Sequence, residues 1–379
     1  MKSFVCDCGQ SNYLFFDSVI CNACGKLVGY CPDSGVMAAF SPNTSEGVWQ
    51  STALPGLYSQ CQNYAQHQVC NWMVPVEDSN PLCRACRLNE MIPDLSQPEN
   101  LEYWRKIEIA KRRCLYGILA LDLPLVSKQE DPEHGLAYRF LTDRLPTTEF
   151  TQRLEGQQPV FTGHDDGVIT INLAEADDIA RTRTRVQLGE TYRTLLGHFR
   201  HEIGHYYWQR LVAESPEHLS AFRQCFGDER VDYEQAKARH YEAAQGGVAQ
   251  DEAAQDETAA PATQTAQTNW ADDFISPYAA MHPWEDWAEC WAHYLHMVDT
   301  LETAQSYALV IRGHAIPAIQ PCADDADVGE WLQDWIRLSV ALNSLNRSMG
   351  KSDPYPFVLT APVQEKLRFI DRIVATAHR

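Results

Sequence analysis

Two sets of four cysteines near the start of the chain restrict its fold more than any other feature. The sets are Cys6, Cys8, Cys21 and Cys24, then Cys61, Cys70, Cys83 and Cys86. In each set twelve residues separate the two inner cysteines, and closely spaced cysteine pairs can supply four thiolates to a tetrahedral zinc ion. We therefore predict two structural zinc sites, which stabilise a region that lacks the helical periodicity of a large apolar core.

The first cysteine set leaves the choice of one ligand open. Cys6 and Cys8 form a C-x-C pair, which is tighter than the usual C-x-x-C, so Cys31 could replace one of them. The scattered cysteines are interpreted as small buried residues. These are Cys114, Cys225, Cys290 and Cys322.

Length and charge exclude several classes of protein. With 379 residues, 45% of them hydrophobic, the chain can bury a sizeable core. It carries 31 Lys and Arg against 51 Asp and Glu, and this acidic excess argues against a nucleic-acid partner. No signal peptide and no apolar run of about 18 residues is found. We predict a cytoplasmic protein that does not enter a membrane. The two cysteine-rich modules, interpreted as zinc ribbons, are predicted to bind a protein partner.

The segment His201-Glu202-Ile203-Gly204-His205 has the H-E-x-x-H pattern. Residues four apart lie on one helical face, so both imidazoles can bind one ion while Glu202 reaches a metal-bound water. Apolar residues surround the motif, and buried polar side chains in such a place need a strong partner, which a metal supplies. We predict a catalytic zinc site with Glu202 as general base, on a helix running roughly from Arg185 to Val212.

A catalytic zinc ion needs a third protein ligand and an open position for water. The six residues that follow His205 lack the third histidine of the metzincin pattern. A tryptophan-rich helix predicted from Pro283 to Val298 places Glu285 and Glu289 one turn apart. One carboxylate can then bind the metal while the other accepts the Nδ1 proton of a ligand histidine. Glu285 is the predicted ligand, with Glu289 or Asp286 as alternatives.

This motif, followed by a tyrosine and E-x-x-x-E, is similar to the gluzincin metallopeptidases. In those enzymes the first glutamate is the third zinc ligand and the following acidic residue supports a ligand, which implies these roles for Glu285 and Glu289. Tyr278 lies seven residues before Glu285 and resembles the tyrosine that stabilises the oxyanion in the protease domain of the lethal-factor toxins. The resemblance implies the same role for Tyr278.

Most of residues 1–350 resembles a bacterial family of zinc-binding metallopeptidases with an N-terminal zinc ribbon. The stretches that carry this resemblance are CNWMVP, CRLNEMIPDL, FRHEIGHYYW, FGDERVDY and HPWEDWAECWAHYLHMVDTLETA. It implies a peptide or protein substrate and a cofactor set of one catalytic and two structural zinc ions. An insertion at 243–268, rich in Ala and Gln, departs from the family, and its composition predicts disorder.

These patterns predict an α+β fold, in which zinc-ribbon modules precede a mainly α-helical, gluzincin-like metallopeptidase domain with a small β-sheet. The predicted divisions are a double zinc-ribbon module at 1–95, a connecting helix at 96–125, the metallopeptidase domain at 126–350, and a C-terminal helix at 351–379 that packs on it. Residues 168–173 (VITINL) alternate as a half-buried strand. This strand either pairs with extended substrate at a sheet edge or lies in the core.

Two other functions fit the same residues. The chain could be a zinc-stabilised adaptor with an inactive H-E-x-x-H site, or a hydrolase of non-peptide amides. Intact Glu202 and Tyr278 favour an enzyme, because an inactive site needs no general base. Several polar residues near the motifs could line the cleft, although a structural role is more frequent for such groups. These residues are Asp228, Glu229, Asp232, His240 and His293.

Overall fold

The computed structural model describes residues 2–9, 13–142, 162–179, 181–182, 194–240, 242, 270–317 and 325–377, with the backbone alone at 325–329. The predicted insertion at 243–268 lies outside these residues. Strands form most of the N-terminal region and helices most of the rest, so the predicted α+β class is confirmed.

The chain divides into two compact units, each assembled from separated segments. Unit 1 consists of Met1–Arg181, Thr194–Phe199 and Val298–Ile319, and unit 2 consists of Thr182–Arg193, Arg200–Met297 and Gln320–Arg379. These units are defined by contacts in the folded chain, whereas the predicted domains are continuous stretches of sequence. The units therefore do not test the predicted domain boundaries, which stay predictions.

Short antiparallel strands build the start of unit 1. Strand β1 (Phe4–Val5) pairs with β2 (Tyr13–Leu14). A five-stranded antiparallel sheet then follows chain order, with β3 (Leu27–Cys31), β4 (Val36–Pro42), β5 (Val48–Gln50), β6 (Leu57–Gln60) and β7 (Met73–Pro75). The short helix α1 (Gln62–His67) begins directly after Cys61. Buried Tyr30 and Trp72 pack with ring centroids 4.9 Å apart, which gives the sheet a small aromatic core.

The long helix α2 (Pro98–Ala120) carries charges into the interior of unit 1. Nζ of Lys111 lies 2.9 Å from the Glu108 carboxylate, and both side chains are completely buried. Asn89 serves both, since its amide donates to Glu108 at 2.7 Å and its carbonyl oxygen accepts from Lys111. A buried ion pair is stable only with such additional hydrogen bonds, so Asn89 is a structural partner of α2.

A four-stranded sheet completes unit 1, in the order β10-β11-β9-β8. Its strands are β8 (Asn89–Met91), β9 (Ala137–Leu141), β10 (Gly163–Asp165) and β11 (Val168–Asn172). Ile169 and Ile171 of β11 are fully buried, as the alternating pattern predicts. β11 pairs with β10 on one side and β9 on the other. Of the two interpretations of this strand, pairing with substrate at a free edge is therefore wrong and the core strand is confirmed, because both of its edges already form backbone hydrogen bonds.

Helices carry the rest of the described chain. They are α3 (Leu195–Trp208), α4 (Pro216–Cys225), α5 (Pro283–Ser306), α6 (Asp325–Ser348) and α7 (Ala361–Thr376), with a helical segment at 233–240. The predicted start of the motif helix at Arg185 lies outside the described residues, and α3 continues into a π-helical turn, Gln209–Ala213. A small hairpin pairs β12 (Val310–Ile311) with β13 (His314–Ala315). None of the helices in the described residues is long and apolar enough to cross a membrane.

Aromatic packing fixes helix α5 within unit 2. The rings of Trp287 and Trp291 are fully buried, with centroids 5.5 Å apart. Phe369 of α7 packs 6.1 Å from Trp287 and 5.8 Å from Phe226. Large aromatic side chains bury much apolar surface and have few rotamers, so α5 has a well-defined position. This helix carries the predicted carboxylate ligand.

Candidate metal centre

Helices α3 and α5 bring His201, His205 and Glu285 together. Nε2 of His201 lies 3.0 Å from Oε2 of Glu285, and Nε2 of His205 lies 3.5 Å from the same oxygen. One ligand atom from each residue lies within 4.8 Å of the others, and all three residues are buried. Donor atoms around a tetrahedral zinc ion lie about 3–4 Å apart, so two imidazoles and one carboxylate at these separations fit zinc.

Glu289 lies behind this group, one helical turn after Glu285. Its Oε1 accepts a hydrogen bond from Nδ1 of His201 at 2.8 Å, and its Oε2 accepts from the Ser276 hydroxyl at 2.7 Å. With its Nδ1 proton held by Glu289, His201 presents Nε2 to the group, where a metal ion would take the place of the Nε2 proton. The geometry therefore places Glu289 as a partner of a histidine and Glu285 as the carboxylate within the group. Asp286, the other alternative, instead pairs with Lys366 at 2.7 Å.

The charges of this cluster favour a cation. Burial lowers the pKa of His201, but hydrogen bonds with Glu285 and Glu289 outweigh it and raise that pKa well above its usual value. Burial raises the pKa of Glu285, yet the charge of His205 and hydrogen bonds with both histidines lower it well below its usual value. Burial likewise opposes ionisation of Glu289, but His201 lowers its pKa to about 2. Two ionised carboxylates thus face the imidazoles.

The other two predicted catalytic residues border the cluster. Glu202 lies on α3 between the two histidines and is 7% exposed. Tyr278 precedes a 3-10 turn, Ala279–Met281. The ring centroid of Tyr278 lies 5.9 Å from that of His201. The phenol ring of Tyr278 therefore lies near the histidine pair, and buried Glu202 follows His201 directly on α3.

Tyr233 also belongs to this site, although the sequence did not single it out. Its hydroxyl donates to Oε1 of Glu285 at 2.8 Å. The residue lies in the FGDERVDY stretch, whose likeness to a family was noted without a role for the tyrosine. A single tyrosine 52 residues before its partner forms no spacing pattern that could reveal the contact.

Other polar residues near the motifs have structural partners. Asp228 pairs with Arg230 at 2.7 Å, and Glu229 accepts three hydrogen bonds from Arg223. Asp232 accepts from a backbone N–H at the start of the segment 233–240. Nδ1 of His293 lies 2.9 Å from the Tyr355 hydroxyl. The ring of His240 lies 5.8 Å from that of Tyr278, so of this set it is the residue placed against the site.

Gly204 allows α3 and α5 to approach each other at the metal cluster. The indole N–H of Trp287 donates to the Gly204 carbonyl at 2.8 Å. A Cβ at this position would lie 3.2 Å from Cα of Ala288 and 3.1 Å from a ring carbon of Trp291. The helices therefore pack closely at this glycine, and an added methyl group would require its neighbours to shift by a few tenths of an ångström.

Replacing Gly204 by alanine is expected to lower the melting temperature. Trp291 is fully buried and the Ala288 atom is helix backbone, so neither yields easily, and overpacking of this kind costs about 1–3 kcal/mol. Thermal denaturation followed by circular dichroism measures the effect. Gly163→Ala is the control, because nothing lies within 4 Å of its added Cβ. A variant at Gly204 that melts at or above the wild-type temperature would contradict this account of the helix contact.

The cysteines form two further groups. Cys6, Cys8, Cys21 and Cys24 converge in one, and Cys61, Cys70, Cys83 and Cys86 in the other. Sγ atoms lie 3.9 Å apart between Cys6 and Cys24 and 3.8 Å apart between Cys70 and Cys83. Thiolates at the usual zinc–sulfur distance are separated by about 3.8 Å, so both groups fit a tetrahedral zinc ion. Cys31 belongs to neither group.

Positive charge and backbone N–H groups lie next to the second cysteine group. The N–H of Trp72 points to Sγ of Cys70 and that of Cys83 to Sγ of Cys61, each at 3.4 Å. The guanidinium of Arg112, on α2, is buried and donates to the carbonyl of Val69. Such donors and a cation offset the negative charge of a tetrathiolate site.

Comparisons with known proteins agree with this geometry. Residues 100–373 match the family described as "Putative zinc-binding metallo-peptidase", and residues 3–97 match a family described as a zinc-ribbon domain. The chain is 39% identical over 377 residues to an uncharacterized protein of Mycobacterium bovis and, to the same extent, to one of Mycobacterium tuberculosis. These alignments cover 99% of this chain and 95% of each relative. No solved structure matches.

Proposed function

The chain belongs to the family described as zinc-binding metallo-peptidases, and from this premise we propose that it hydrolyses peptide bonds at the cluster of His201, His205 and Glu285. The observation that carries the proposal is the convergence of these three buried side chains, with Glu202 between the histidines. Three protein ligands leave a fourth position for water, which distinguishes a catalytic site from a closed structural one.

The residues around the cluster suit peptide hydrolysis. Glu202 is proposed to take a proton from the attacking water and to deliver it to the leaving amine. Zinc, when bound, supplies a Lewis acid that lowers the pKa of water and polarises the carbonyl. Tyr278 is proposed to donate its phenol proton to the carbonyl oxygen as negative charge develops on it. Glu289 keeps His201 in the tautomer that presents Nε2.

The two cysteine groups are proposed as structural zinc sites, because four thiolates close the coordination sphere. The described cysteines form no disulfide, which suits a reducing compartment such as the cytoplasm. The first 90 residues carry seven acidic side chains against four basic ones. That balance disfavours nucleic acid, so we propose a protein partner for the ribbons and a peptide or protein substrate for the cleft.

Cleavage of a proteome-derived peptide library tests the proposed activity. Mass spectrometry of new peptide ends should find cleavages made by the zinc-loaded protein. These should disappear when a chelator removes the metal and return when zinc is restored. If the fully loaded protein leaves the library intact, the peptidase proposal fails and the adaptor and non-peptide amidase alternatives replace it.

Metal analysis should find three zinc ions per chain, one for each group of converging ligands. Glu285→Ala is expected to reduce the count to two, because only the histidine site loses a ligand. Elemental analysis combined with native mass spectrometry measures both counts. Glu217→Ala, at an exposed position of α4, should retain all three. A wild-type count of two, unchanged in Glu285→Ala, would rule out zinc binding at the histidine pair.

A further inference from the structure

The two oxygens of the Glu285 carboxylate face different partners. Oε2 lies 3.0 Å from Nε2 of His201 and 3.5 Å from Nε2 of His205. Oε1 accepts the hydrogen bond from the Tyr233 hydroxyl at 2.8 Å. One oxygen is therefore directed to the histidine pair while a phenol holds the other.

The hydroxyl of Tyr233 also forms a hydrogen bond with that of Tyr278. A phenol has one proton to donate. Since Tyr233 gives its proton to Glu285, it accepts from Tyr278. Before a substrate binds, a chain of hydrogen bonds thus runs from Tyr278 through Tyr233 to Glu285. A substrate carbonyl oxygen would accept the Tyr278 proton in place of Tyr233.

Neighbouring rings hold Tyr233 in place. Its ring lies edge-on to that of His282, with centroids 5.3 Å apart, and 6.1 Å from that of Trp284. His282 in turn donates from Nε2 to the carbonyl of Val231 at 3.0 Å. These contacts connect the start of the segment 233–240 to the first turn of α5. The hydroxyl therefore meets Glu285 from a fixed direction.

We propose that Tyr233 is a positioning residue that keeps Glu285 a one-oxygen ligand and orients the Tyr278 hydroxyl over the same site. The inference rests on the proposed zinc peptidase function. Hydrogen bonds from outside the coordination sphere orient ligating carboxylates. With Oε1 held by the phenol, only Oε2 is available to the ion, and the position needed by water stays open. Without the phenol, Oε1 can turn towards the ion and occupy that position.

The variant Tyr233→Phe removes the hydroxyl and keeps the ring. The test places Co²⁺ at the histidine site while Zn²⁺ stays in the cysteine groups. Wild type should show the strong visible absorption of four-coordinate Co²⁺, and Tyr233→Phe the several-fold weaker absorption of a five-coordinate ion. In the zinc-loaded enzyme kcat should fall by about 10–100-fold, with a smaller change in KM.

Two further variants separate this role from a general effect of losing a phenol. Tyr103→Phe is the matched control, because Tyr103 also donates to a carboxylate, that of Asp177, at 3.4 Å. It should change neither absorption nor kcat. Tyr278→Phe should lower kcat but keep the four-coordinate spectrum, since the hydrogen bond to Oε1 of Glu285 comes from Tyr233.

The spectrum decides the proposal independently of activity. If Tyr233→Phe keeps the wild-type Co²⁺ absorption, Tyr233 does not set the binding mode of Glu285 and the proposal is wrong, even where kcat falls. A wild-type protein that cleaves no peptide would overturn the proposed function instead. The spectral comparison between the variants would remain valid in that case.

Discussion

Glu202→Gln should retain all three zinc ions and lose peptide hydrolysis by a factor of about 10²–10⁴. The amide has the size of the carboxylate but accepts no proton at neutral pH, so the attacking water keeps both of its protons. The metal should stay, because the three converging groups do not include Glu202. Cleavage rates on one library-derived peptide, measured beside the zinc content of the same sample, test both parts.

Glu217→Gln is the matched control for this variant, since the same change is made at an exposed position of α4. It should cleave at the wild-type rate. Glu202→Gln with wild-type cleavage and full zinc content would show that another group accepts the proton. A loss of zinc together with activity would show that Glu202 has a structural role at the site.

Cys83→Ala should cost the protein one zinc ion and unfold the segment around it. Cys83 and its three partners are all buried, and structural zinc contributes about 10–16 kcal/mol to the folding of small zinc modules. The loss exceeds what a few short strands and α1 can offset. Limited proteolysis with mapping of the fragments should show new cuts between residues 61 and 86, and elemental analysis should count two zinc ions.

Cys31→Ala is the control for this loss. Cys31 is equally buried but lies outside both cysteine groups, so its removal should leave the zinc count at three and the segment 61–86 resistant to protease. If Cys83→Ala kept all three zinc ions and resisted protease as well as the wild type, the second cysteine group would have no structural role. If Cys31→Ala lost a zinc ion, Cys31 would be a zinc ligand after all, which is the alternative that the sequence left open.

Local spacing explains which parts of the site could be predicted from the sequence. His201 and His205 are four residues apart, as are Glu285 and Glu289, and a helix with about 3.6 residues per turn places each pair on one face. The closely spaced cysteine pairs likewise depend only on the local conformation of the chain. Each pair needed only its own helix or turn to form, and the packing of α3 against α5 then brings the histidine pair to Glu285.

Contacts set by tertiary packing could not be predicted in this way. Tyr233 meets Glu285 only because the segment 233–240 packs against the first turn of α5. The alternation of β11 predicts one buried face but does not reveal that β10 and β9 occupy both edges. The C-x-C spacing of Cys6 and Cys8 likewise left Cys31 open, and only the fold separates it from the group.

Strand β8 has a consequence for any attempt to divide this protein. It lies before residue 97, within the stretch that matches the zinc-ribbon family. It is nevertheless an edge strand of the four-stranded sheet, because it pairs with β9. A chain beginning at residue 98 would lose that strand and would leave the ammonium of Lys111 without the carbonyl of Asn89. The zinc-ribbon match and the start of the following family match therefore share one compact unit, and we expect neither to keep its native structure when the chain is cut between them.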